Sequence, residues 1–298
     1  MTGLTEDRAA KRRRAALLLT GFGLVAGAVV WLVVAAAGWP IAGLVVGVFV
    51  AAGSAFWAAR SGDRIVLRQV GVRPADPVAD ARFVNLVAGL CSASGVPRPE
   101  LFVFQHPGLN ALATARSQRR SSLVATSGLL ESMSRIELEG VVAHELNRVK
   151  SGDAELSTVV AATAGVVLGW CDWGFGVTGR SRDGASASPG ARLIVGWILA
   201  APAYLAAQLL RRGIDPEREA TADLATARLT RYPPGLLAAL ERMAAADEEV
   251  PRLHGIAHLW LHSPLAREAP PGWRLGFLDR VLAKGDTLPT RIETLREL

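Results

Sequence analysis

The chain has 298 residues, half of them hydrophobic, and a formal net charge of +6. Its mean hydropathy of +0.27 is high for a purely soluble domain, and the apolar residues lie in blocks, which argues for membrane spans rather than one large core. The two cysteines, Cys91 and Cys171, exclude a disulfide framework and a Cys-type zinc site. The basic balance comes without an aromatic-interleaved basic patch, so no nucleic-acid partner is expected.

Residues 1–14 are polar, end in Lys11-Arg12-Arg13-Arg14, and read as a basic cytoplasmic tail. Ala15 to Ala37 is one uncharged apolar run, long enough at about 1.5 Å per residue to cross a ~30 Å hydrocarbon layer. Gly38-Trp39-Pro40 breaks it, and Ile41 to Ala59 is a second such run, so residues 15–60 read as a transmembrane hairpin. A secretory signal peptide competes for the first run, but its length and the span that follows at once argue against that.

Residues 61–155 are soluble in character. The periodicity predicts a helix over Asp80–Ser94 ending at Gly95. Strands are expected at Leu101–Phe104, Asn110–Ala115 and Ser122–Ala125, and helices at Gly128–Ser132 and Arg135–Lys150. A third apolar run, Leu156 to Trp170, and a fourth, Leu193 to Leu210, predict a second membrane hairpin over 156–210. Buried core helices are the alternative for that pair. Residues 211–298 return to soluble character. Basic residues cluster in the tail, at Arg60, Arg64 and Arg68, and at Arg211-Arg212. That bias places the soluble parts on the cytoplasmic face.

Two helical motifs carry chemistry. His144-Glu145-Leu146-Asn147-Arg148 has the first two members of a His-Glu-x-x-His helix. Such a helix aims two imidazoles, one turn apart, at one metal, while the glutamate activates the metal-bound water. The place of the second imidazole is taken by Arg148. Further on, Glu219 and Asp223 share a helix face, a spacing that suits a carboxylate ligand and an acid that orients a ligand histidine. Each motif alone is weak, since a lone carboxylate pair on a helix is usually a solvated face.

Together with Gly108-Leu109-Asn110-Ala111-Leu112, Gly152-Asp153 and Leu288-Pro289-Thr290-Arg291-Ile292, they resemble the HtpX-type and CAAX-prenyl-protease family of integral-membrane zinc metallopeptidases, over about residues 65–298. The resemblance implies a mainly α fold with a small β-sheet, an α+β zincin-like peptidase fold, with four membrane-spanning or membrane-embedded helices. It implies zinc as cofactor, His144 and Glu219 as ligands, and Glu145 as general base. Asp223 and Asp153 would support the ligands from behind. Asn110 and Ala111 would lie on an edge strand that holds extended substrate by β-augmentation. A His-Pro that the family carries ahead of its Leu-Pro-x-Arg-Ile is replaced here by Lys284-Gly285-Asp286.

Arg148 decides what the site is expected to do. A guanidinium has no lone pair and stays charged. At about 4 Å and an effective dielectric near 20, it repels a dication by roughly 8 kcal/mol. That is a large share of the ~10–16 kcal/mol of a complete structural zinc site. Arg148 is therefore expected either to stand in the metal's place, paired with Glu219 or Glu145, or to swing out to solvent. His254, His258 and His262 recur at helical spacing and are candidate substitute ligands, with His106 a weaker one. Three functions stay open. One is a degenerate member that binds extended or unfolded segments, or a membrane partner, without cleaving. The second is an active zinc endopeptidase with a substitute ligand, and the third a membrane scaffold.

Overall fold

A computed structural model describes residues 2–163, 218–230, 232–246, 248, 250–251, 256–262 and 288–297. Two long helices open the chain: α1, Thr2–Ala36, and α2, Pro40–Val70. Gly38 turns between them at φ 92°, a conformation open mainly to glycine. Pro40 then starts α2, where its missing N–H leaves no hydrogen bond unmade. Both helices are long and apolar enough to cross a membrane, α1 over Arg8–Ala36 and α2 over Pro40–Val70. Ile41, Val48, Phe49 and Phe56 stand outward on α2, an apolar surface suited to lipid.

The two helices meet through glycines. A Cβ on Gly27 would lie 2.5 Å from the Gly47 carbonyl oxygen, and one on Gly47 would lie 2.7 Å from that of Gly27. Apolar side chains gain little from leaving lipid, so close backbone approach and dispersion hold such a pair. Gly27→Val is expected to force the helices apart and to destabilise the chain by about 1–3 kcal/mol. The check is the melting temperature of the detergent-purified variant; an unchanged value would mean the hairpin does not depend on this contact.

Both helices overrun the boundaries expected from hydropathy. The segment read as a tail is helical from Thr2. Arg8 and Arg12 bond to Glu155, and Lys11 pairs with Asp153 at 2.9 Å. Past Ala59, α2 continues because Gly62, Asp63, Val66 and Val70 form a buried stripe. Gly62 brings α2 against the helix over 153–163 (a Cβ there would lie 3.1 Å from that of Ala162), and Val66 and Val70 pack with Leu112 and Val124.

The sheet has four strands: β1 (Arg73–Pro74), β2 (Glu100–Phe104), β3 (Ala111–Ser117) and β4 (Arg120–Thr126), in the order β1-β2-β4-β3. β2 and β4 are parallel and the other pairs antiparallel. The helices beyond α2 are α3 (Ala81–Ser94), α4 (Ser127–Ser132), α5 (Arg135–Ser151), α6 (153–163), α7 (Arg218–Thr230), α8 (Pro233–Ala245) and α9 (Leu288–Arg296). The main core lies between the sheet and α5, where Ala113 and Leu123 meet Leu138, Leu146 and Leu236. The fold is thus mainly helical with a small mixed sheet, as expected. The three expected strands and the helices α3 to α5 all form; β1 is too short to show any periodicity.

Two helices able to cross a membrane stand among the described residues, where four were expected. The start of the third run is helical, but Leu156, Val160, Ala161 and Ala162 are buried inside the protein. The rest of that run and the fourth run, Leu193–Leu210, lie outside the described residues.

Candidate functional site

α5 carries the His-Glu motif and is fixed at both ends. Ser134 caps it by accepting from the Glu137 N–H, and the Glu137 carboxylate accepts in return from the Ser134 N–H. Gly152 ends it in the left-handed region at φ 84°. Between these ends every residue from Gly140 to Val149 is buried. The motif is therefore held inside the domain, with no freedom to rotate its face.

His144 Nδ1 lies 2.8 Å from a carboxylate oxygen of Asp223 on α7, so the structure brings these two expected site residues together. Asp223 also accepts from Arg291 on α9, at 2.8 Å to each of its carboxylate oxygens. Burial pushes the Asp223 carboxyl up, but the Arg291 charge and the bonds from His144 and Arg291 outweigh it and hold the group below the usual carboxylate range. Arg291 was legible only as part of the Leu-Pro-x-Arg-Ile run, and nothing in the sequence says that it reaches Asp223. Thr226, one turn beyond Asp223, accepts from Asn147 of α5 at 3.2 Å and locks the two helices in register.

Arg148 does not swing out. It is among the largest fully buried side chains, 1% exposed. Its Nη1 donates to the Glu145 carboxylate, at 3.1 and 3.3 Å to the two oxygens, and to the Leu259 carbonyl at 3.0 Å. Of the two expected partners, Glu145 is the one observed; the Glu219 side chain lies outside the described residues, although its backbone is in α7. A helix of this kind aims two donors at one metal, and here they are an imidazole and a guanidinium that cannot coordinate. Among the described residues no three His, Cys, Asp or Glu side chains converge as a metal site. Arg148 thus leaves the second ligand position without a donor, and the Glu219 carboxylate lies outside the described residues.

The three-histidine stripe does not form as one helix face. Residues 257–259 are a single 3-10 turn, Trp260 makes a β-bridge, and His262 sits in a bend. The change of backbone geometry breaks the i, i+4, i+8 alignment. His258 is buried with Nε2 3.2 Å from the Ser157 carbonyl, and His262 meets Asn110 through its backbone. His254 lies outside the described residues. His106 accepts at Nδ1 from the Gly108 N–H and stacks on Phe104, as a turn residue would. Asp153 does not support His144: its partners are Lys11 and Ser151.

Ala111 opens β3, the outer strand of the sheet, and Asn110 directly precedes it. That edge is covered by the chain itself. Leu112 pairs with Trp260 as an antiparallel bridge, and the Leu261 N–H donates to the Ala111 carbonyl at 2.8 Å. The Asn110 amide donates to the His262 carbonyl and its oxygen accepts from the His262 N–H. Two buried arginines hold the same segment, Arg148 at the Leu259 carbonyl and Arg291 at the Leu261 carbonyl. Ile256, Leu259 and Trp260 complete a core cluster with Val66, Leu112 and Val124. So residues 259–262 are a packed part of the fold. No short-range pattern marks them, because a 3-10 turn followed by a single bridge and a bend has no period.

Residues 77–297 match Peptidase family M48. The chain is 34% identical to a protease HtpX homolog of Dictyoglomus turgidum over 231 residues, covering 76% of this chain and 75% of the relative. It is 32% identical to that of Caldanaerobacter subterraneus subsp. tengcongensis over 274 residues, 89% and 91% of the two chains. With the homolog of Thermoanaerobacter pseudethanolicus the identity is 30% over 305 residues, 99% and 98%. No solved structure matches significantly.

Proposed function

The chain belongs to peptidase family M48, and on that premise we propose that it is a membrane-anchored member that binds polypeptide without cleaving it. The observation that carries this reading is the buried Arg148 guanidinium on the Glu145 carboxylate. A fixed cation stands in place of the metal and neutralises the carboxylate that would otherwise activate water. Cleavage then has neither a Lewis acid nor a general base. The Asp223–His144 bond that would orient a ligand is retained, now as a structural tie. Binding of an extended segment by β-augmentation at β3 proceeds by displacement of residues 260–262, which makes it conditional rather than constitutive. The basic residues that flank α1 and α2 support a cytoplasmic position for the N-terminus and the peptidase-like domain.

The test is zinc per chain in the detergent-purified protein, by elemental analysis, together with casein cleavage with and without chelator. Zinc near background and no cleavage are expected. Arg148→His, which restores the second imidazole, is expected to bring zinc close to stoichiometric. Stoichiometric zinc in the natural chain, lost in Glu219→Ala and accompanied by chelator-sensitive cleavage, would return proteolysis to first place.

A further inference from the structure

A cavity of about 440 Å³ opens where α2 leaves its apolar stretch, lined by side chains from separate parts of the chain. α2 contributes Arg60 and Arg64, the loop before β2 contributes Arg98, and the β3–β4 hairpin contributes Arg116, Arg119 and Arg120. Two carboxylates face these guanidinium groups, Asp63 and Glu100. Asp63 is already taken, by Arg116 at 2.9 Å, and Arg116 is further fixed by donating to the Arg60 carbonyl at 2.7 Å. The cavity is therefore strongly cationic, with one arginine pinned to the frame and the others standing around it. A run of basic residues at the end of a span is common and needs no ligand. Here, however, the hairpin and the loop before β2, which are distant in sequence from α2, bring their arginines to the same hollow.

The cavity's depth is set by α2. Phe56 and Trp57 are exposed on the lipid-facing stretch, 70% and 49%, and Arg60 follows one turn later. Trp is enriched where spans meet the headgroups, and a guanidinium this close to an apolar stretch extends toward them. The hollow lies just past the end of that apolar stretch, where a span of this kind would leave the hydrocarbon for the phosphate layer. Guanidinium groups match phosphate oxygens in shape and charge, and charge-assisted pairs of this kind are the strong ones. We propose that this cavity binds the phosphate headgroup of an anionic phospholipid, and so seats the sheet of the peptidase-like domain on the membrane surface.

The experiment uses the full chain in detergent micelles doped with phosphatidylglycerol or, at the same mole fraction, phosphatidylcholine. Thermal stability and retained lipid are the readouts. Phosphatidylglycerol is expected to raise the melting temperature and to be retained by the protein, with phosphatidylcholine and inorganic phosphate giving little shift. Arg64→Gln/Arg120→Gln removes two cavity arginines that make no ion pair among the described residues, and is expected to weaken phosphatidylglycerol binding about tenfold or more, with an unchanged lipid-free melting temperature. Arg13→Gln/Arg68→Gln makes the same charge change outside the cavity and is expected to bind as the natural chain does. Equal loss in both double variants would reduce the effect to general charge and overturn the site. Unweakened binding in Arg64→Gln/Arg120→Gln would overturn it too. A shift by inorganic phosphate equal to that by the lipid would overturn the assignment to phospholipid.

Discussion

Arg148→Ala is expected to destabilise the protein by about 3–5 kcal/mol, the cost of leaving a buried charge without its partner. Glu145 is 0% exposed and both of its oxygens accept from the one guanidinium nitrogen. Once the arginine is cut back, the carboxylate has to take up a proton or draw water into a packed interior. The Leu259 carbonyl loses its donor in the same step, which loosens the segment over β3. A double variant separates charge from packing. Arg148→Met/Glu145→Leu removes both charges while keeping apolar volume, and desolvated pairs replaced in this way are often neutral or stabilising. The expected ranking of melting temperatures is the natural chain and the double variant close together, with Arg148→Ala well below both. Equal losses in single and double variants would show that shape, not charge, holds this site.

Asp223→Ala should cost as much or more, because one carboxylate serves two partners. It accepts from His144 and, at both oxygens, from Arg291, and all three side chains are buried. Truncation strands a guanidinium that is 3% exposed, so about 3–5 kcal/mol is again the expected scale. Arg291 also holds the Leu261 carbonyl, so faster proteolysis within 256–262 is the local signature to look for. The sign of the pH dependence follows from the depressed carboxyl. Its contribution to stability is complete above the ordinary Asp range near pH 4, and is lost as pH falls through the lower folded-state value. Unfolding of Asp223→Asn should therefore show a flatter acid limb than that of the natural chain. Superimposable acid limbs would mean that Asp223 is not what titrates.

Much of the frame was legible from local signals. Helix α3 and the end of α5 are written in Gly95 and Gly152, both with positive φ, and the start of α5 in the Ser134 and Glu137 capping box. The strands showed because short apolar runs between turn residues have few alternatives. The ends of α1 and α2 were misjudged, since hydropathy detects where lipid contact stops and not where helical hydrogen bonding stops. Ion pairs to Asp153 and Glu155 tie the start of α1 to the domain, and a buried stripe of Gly62, Asp63, Val66 and Val70 carries α2 into it. The histidine spacing misled for a related reason: a period of four implies a shared face only where the backbone is an α-helix, and residues 257–259 are a 3-10 turn.

The sequence by itself determined the family, the sheet-and-helix frame, and the presence of an arginine one helical turn beyond His144. These follow from side-chain period, capping and motif spacing, all of which act within a few residues. Only the tertiary structure decided that Arg148 is buried on Glu145, that Arg291 shares Asp223 with His144, and that residues 259–262 cover β3. The last two join groups far apart in the chain, and the first, between residues three apart on one helix, depends on the burial that keeps the Arg148 side chain from solvent; all three are set by how the whole domain packs.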